Sequence, residues 1–143
     1  MLFKRISRAS AETIFVVAKN VSCSTLTAGY SAVWDVSTSV DGVRVTQASS
    51  TDLQAYAGVA DSDIANGAYG LLQVYGYRPS VYIYSSAGLN AAGSALSVIA
   101  AEWGLTPAAG AGTAKNFGFL CSAVSASSSS QYHTTAKAFI RAL

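Results

Sequence analysis

Hydrophobic and polar positions along this chain keep changing places with a period of two, in runs of four to nine residues closed off by turn residues. Residues 13–18 are β-branched and aromatic and predict a strand. Residues 32–36 alternate, sending Val33 and Asp35 one way and Trp34 and Val36 the other. Asp41-Gly42 is a hairpin-grade turn, and 43–47 alternate again after it. Residues 53–59 and 69–77 read as further strands. The second is apolar on both parities around Leu71-Leu72, which predicts a central strand covered on both faces. Arg78-Pro79 is expected to end it, because proline has no N–H to give to a ladder. Runs at 81–84, 96–99, 117–124 and 135–143 complete a set of about eight strands. The last run places apolar or aromatic residues on both parities, so neither face is expected to be purely solvent-facing. Residues 93–103 are the one helix candidate, being alanine-rich, but Val98 and Ile99 favour a strand there.

One local pattern recurs. Leu26-Thr27-Ala28-Gly29, Ile64-Ala65-Asn66-Gly67 and Leu89-Asn90-Ala91-Ala92-Gly93 each run from an apolar residue through small or polar ones to a glycine, just before a strand. Glycine supplies the positive φ of such turns, and the leading Leu or Ile is placed to plug the end of a barrel. The unequal intervals exclude a solenoid. The expected architecture is all-β: a compact barrel or sandwich of short antiparallel strands over 12–143, preceded by an N-terminal arm at 1–11. That arm carries Lys4, Arg5 and Arg8 and reads either as a frayed terminus or as an extended segment ordered against a neighbour. The low-complexity stretches 108–113 and 125–130 read as mobile loops.

Composition sharpens this. With 51% hydrophobic and only 11% charged residues, some apolar surface is expected to lie in contacts between subunits, so a homo-oligomer (dimer or trimer) is anticipated. A net charge of +2 is too mild for nucleic acid as the main partner. No stretch approaches the roughly 20 apolar residues of a membrane span, and the 14–18 run is too short for a secretory signal. The chain is expected to be soluble and unprocessed.

Chemistry is sparse. His133 is the single histidine, with no marked base or nucleophile near it, and is expected on a loop or strand edge. Asp61-Ser62-Asp63 lacks the ligand run of a calcium loop and reads as a turn. Gly67-Ala68-Tyr69-Gly70 has no lysine and leads into a strand, so it is no phosphate loop. Glu12 and Glu102 are the only glutamates and form no evident couple. Cys23 and Cys121 show no metal spacing and read as small buried hydrophobes, with a disulfide between them left open. No catalytic residue, cofactor or metal is assigned, and an enzyme is not expected. Tyr75, Tyr77, Tyr82 and Tyr84 are the one notable cluster. On strands flanking a turn they are positioned to share a face, suited to core packing or a protein interface, and alternatively to a sugar or base-stacking platform.

A resemblance bears on function. Val45-Thr46-Gln47-Ala48, Tyr56-Ala57-Gly58-Val59-Ala60, Ile64 to Gly70 running into Val74-Tyr75-Gly76-Tyr77, and the ending Ala136 to Leu143 together resemble the capsid decoration (cement) proteins of tailed bacteriophages. The likeness covers roughly the last two-thirds of the chain. It implies a structural virion protein on the capsid surface, made in the host cytoplasm, that binds the lattice of the major capsid protein and stabilises the head. It brings no catalytic residues and no cofactor. The contacts expected on this reading come from Phe3, Lys4, Arg5, Arg8, Tyr75, Tyr77, Tyr82 and Tyr84, with many copies supplying avidity. The alternative is a receptor- or carbohydrate-binding β-module of a phage tail or fibre, which would need an exposed aromatic platform.

Overall fold

The computed structural model describes residues 3–6, 12–37, 41–85, 89–107, 116–125 and 132–142, and among them there are twelve strand segments and no helix. In chain order these are β1 (Phe3–Ile6), β2 (Thr13–Asn20), β3 (Ser31–Trp34), β4 (Arg44–Thr46), β5 (Tyr56–Ala60), β6 (Tyr69–Ser85), β7 (Leu89–Asn90), β8 (Leu96–Val98), β9 (Leu105–Pro107), β10 (Gly118–Leu120), β11 (Val124–Ser125) and β12 (Tyr132–Arg141). The all-β architecture expected from the alternation is the one observed. Ten strands form one mixed sheet, while β7 and β11 pair separately.

The sheet closes on itself. In a first ring, β2 pairs with β4 in parallel, β4 with β3, β3 with β5, β5 with the first half of β6, and β6 back to β2. In a second ring, β6 pairs with β9 in parallel, β9 with β8, and β12 joins β6 to β10. That ring closes through the Ala95–Phe119 bridge, where Phe117 N donates to Leu96 O and Leu120 N to Ser94 O at 2.8 and 2.9 Å. Strand β6 is common to both.

Each ring has its own core. Val16, Ala18, Leu26, Val45, Ile64 and Leu72 are among the residues filling the first. Val81, Ile83, Leu96, Leu105, Leu120 and Ile140 are among those filling the second. Strand β5 serves both. Ala57 and Ala60 enter the first core, and Tyr56 and Val59 the second, so the whole strand is buried. A bulge at Ala32/Val33 against β5 permits this departure from strict alternation.

The recurring turns behave as their residues dictate. Tyr30 N donates to Thr27 O, Ala68 N to Ala65 O and Ser94 N to Ala91 O, with Gly29, Gly67 and Gly93 at φ 86°, 81° and 89°. A φ near +80° is what the third position of a type II turn requires. Leu26 and Ile64 face each other across a two-hydrogen-bond bridge (2.9 and 2.8 Å), both essentially inaccessible, and stopper the first ring. Beside them Asn20, fully buried, donates through Nδ2 to Ser24 O and Ile64 O at 2.7 and 2.8 Å.

Three expectations need correction. Pro79 does not end a strand: β6 runs 17 residues through it. Pro79 and Ser80 together oppose Lys137 alone, so the proline sits in a bulge where its missing N–H costs no ladder bond. Leu53 lies in a turn instead of a strand, because the Asp52 carboxylate accepts the Ser49 N–H at 2.6 Å and curls the chain. Residues 117–124 split into β10 and β11 on different sheets. Strand β12 has a core face (Ala136, Ala138, Ile140) and, as expected, a second face that is not purely solvent-facing, since half-buried Phe139 stands on it among the exposed His133, Thr135, Lys137 and Arg141. At the other end, Phe3–Ile6 is ordered against the chain's own β2, in the register Phe3 to Val16 and Ile6 to Thr13. Arg8 and the 108–113 stretch lie outside the described residues, as does 125–130 apart from Ser125.

Candidate functional site

The outward face of β6, β12 and β10 gathers a cluster of aromatic rings. Tyr75 and Tyr77 have odd positions and Tyr82 and Tyr84 even ones, so a regular strand would point the pairs to opposite sides. The bulge at Pro79-Ser80 absorbs one residue and restores them to one side. On β12 their partners are Arg141, Phe139, Thr135 and His133, all of one parity. The inward neighbours Val74, Arg78, Val81 and Ile83 are buried. The four tyrosines do share a face, by a bulge within one strand instead of a turn between two.

The face has two parts. At one end Tyr77, Phe139 and Phe119 stand directly opposite one another across three strands. The Phe119 and Phe139 rings are parallel within 7° at 5.2 Å, and Tyr75 meets Phe139 edge-on at 5.1 Å. Phe119 is 41% exposed and Tyr77 38%, large values for such side chains. At the other end a ring row runs from Trp103 through Tyr30, Tyr82 and His133 to Tyr84, with centroids 5.9, 4.8, 5.4 and 5.1 Å apart. Trp103 enters this row just after Ala101, a non-glycine residue at φ 62°, and its carbonyl accepts both the N–H and the hydroxyl of Ser31 at 2.8 Å. Burial, with Tyr30 and Glu102 adjacent, raises the Tyr82 phenol above its ordinary range.

Ring spacing decides what the row offers. Parallel rings 5.4 Å apart are too close to lie side by side in one plane, so Tyr82 and His133 are offset-stacked and cover one another's faces. Tyr84 is almost completely buried. Tyr30, Tyr82 and Trp103 are half-buried and His133 alone of the row is exposed, so the row offers little open ring face, which a sugar platform needs.

Beneath the bulge lies a polar lock. The Arg78 guanidinium donates to Asp61 Oδ1 (3.1 Å), Gln73 Oε1 (3.3 Å), Ala60 O (2.7 Å), Asp61 O (3.3 Å) and Ser80 O (3.2 Å). Gln73 in turn donates to the carbonyls of Tyr75, Gly76 and Tyr77. All five N–H groups of Arg78 are used, so the hollow of about 310 Å³ beside it holds no cation available for an anionic ligand. A second hollow, of about 280 Å³, is lined by Leu53, Val98 and Phe117 below a rim of Ser50, Thr51, Gln54 and Ser97.

The remaining candidates settle individually. Asp61 is engaged by Arg78, and Asp63 Oδ1 accepts the Ala28 N–H at 2.8 Å, so both carboxylates tie distant segments together instead of bonding their own turn. Among the described residues no group of three or more His, Cys, Asp or Glu is placed to hold a metal ion, and no helix is long and apolar enough to cross a membrane. His133 lies on strand β12 with its ring in the row. Cys23 and Cys121 are exposed free thiols, which overturns their reading as buried hydrophobes. Both sit where the chain leaves the sheet, Cys23 at φ 65° in the turn after β2 and Cys121 directly after β10. Phe3, Lys4 and Arg5 lie on β1, apart in sequence from the aromatic face. Sequence reasoning missed Phe119, Phe139, Tyr30 and Trp103. The parity of Phe139 with Lys137 and Arg141 was the available signal for one of them.

No family model matches this chain, and no curated protein does. The face has to be interpreted from its own chemistry.

Proposed function

We propose that this chain is a non-catalytic structural protein of a virus particle, a capsid decoration (cement) protein that binds the major capsid protein lattice and stiffens the shell. The observation that carries the reading is the Tyr77–Phe139–Phe119 triple, large apolar rings left to solvent on a rigid sheet. Exposed aromatic surface of this kind is characteristic of protein contacts. The resemblance of the chain's last two-thirds to phage decoration proteins supports the same reading. Avidity from many copies lets each contact be modest, and self-association as a dimer or trimer belongs to the proposal. The tail or fibre carbohydrate module is less well supported, because the ring row spends its faces on itself. Osmotic or thermal challenge of shells with and without the protein tests the function. Earlier rupture of bare shells is expected, and equal survival would remove the stabilising role.

A further inference from the structure

Within the decoration reading, and resting on it, the open question is which face docks and what chemistry it meets. The aromatic triple is bordered on β12 by two cations. Arg141 pairs with Tyr75 on one side of the Phe139 row. Lys137 lies on the other side, where its carbonyl accepts the Cys121 N–H at 2.8 Å. Both cations are exposed. These three rows, Tyr75–Arg141, Tyr77–Phe139–Phe119 and Lys137–Cys121, carry two positive charges and no carboxylate.

We infer that this end of the β6–β12–β10 face is the docking surface, and that its partner is a capsid-subunit surface with an apolar centre and an acidic border. Complementary charge is the argument for the partner. Two copies of the chain meeting through this face would bring four cations together around one apolar contact, and like charges across an interface are strongly disfavoured. An acidic border on the other protein removes that repulsion and steers encounter. The rings supply the desolvated centre, with Phe119 the most exposed of the three. Cys121 then falls at the rim of the contact, while Cys23 sits on the turn behind β2.

The test uses shells assembled from the capsid subunit encoded by the same genome, with binding read by co-sedimentation. Phe119→Ser is expected to weaken binding roughly 30-fold, the size of a central hot spot. Lys137→Glu with Arg141→Glu is expected to weaken it by about tenfold and to abolish the salt dependence seen for the native chain. Tyr69→Ser, which removes an exposed ring on the first strand ring, is the control and should bind as the native chain does. Maleimide labelling of the bound protein should find Cys121 protected and Cys23 still reactive. Variants that melt like the native chain yet bind equally well, or a Cys121 that stays reactive on the shell, overturn the assignment and leave the decoration role standing. Concentration-dependent self-association lost in Phe119→Ser overturns the acidic partner in favour of a second copy. A native chain that ignores the shells removes the decoration role and this assignment together.

Discussion

The two strand rings are built from the same alternating pattern and close in different ways. The first is shut by at least two paired positions at every seam, and its end is stoppered by Leu26 against Ile64 with Asn20 clamped beside them. The second is joined at two of its seams by single residue pairs, Ile83 to Leu105 and Ala95 to Phe119. It also carries the open aromatic triple. The open aromatic surface thus belongs to the second ring, while each ring is held by a core of its own. A rigid plugged barrel can support a neighbour whose outer face is chosen for contact instead of folding.

Substitutions can separate those roles. The largest effect is expected from Leu72→Ala, fully buried in the first core, which should cost about 2–5 kcal/mol by denaturant titration. Phe119→Ser should leave the unfolding midpoint nearly unchanged while weakening shell binding. A comparable loss of stability in both would erase the division. Next is Arg78→Met, which strands Gln73 Oε1 and the buried Ala60 carbonyl, with an expected loss of roughly 2–3 kcal/mol. Tyr56→Phe should act in the opposite direction. Its hydroxyl is buried with no hydrogen-bond partner among the described residues, and burial pushes its ionisation far up. Removing the hydroxyl is expected to stabilise by about 1 kcal/mol.

The smallest effect concerns pH. The Val43 N–H above all, helped by the Arg44 N–H and charge, holds the Asp41 carboxyl below the ordinary aspartate range, against desolvation that pulls the other way. Its contribution is fully present above the unfolded value and fades as acid protonates the folded carboxylate. Asp41→Ala should flatten the acid limb of a melting curve slightly, and an unchanged limb would show that the β3–β4 turn is indifferent to this charge.

Much of this was legible before any coordinates. Alternation located most strands because burial of one face enforces a period of two, and the three glycine turns and the Leu26–Ile64 plug followed from backbone chemistry alone. Pro79 misled because a bulge and a strand end look identical in one dimension. Only the register against Lys137 tells them apart. The full face was hidden for a related reason. Phe119, Tyr30 and Trp103 reach the tyrosines across long stretches of chain, and nothing local to any of them announces the meeting. The thiols were misjudged because burial of cysteine is a tendency of the residue, whereas exposure here comes from their places at strand exits.

Strand β6 passes without interruption from one ring into the other, and an extended run of 17 residues reaches roughly 55 Å. Neither half of the molecule can come undone without fraying the stave it shares with its neighbour. A load applied at the adhesive end is therefore delivered straight down a single backbone to the plugged one, as a splint carries force past a joint.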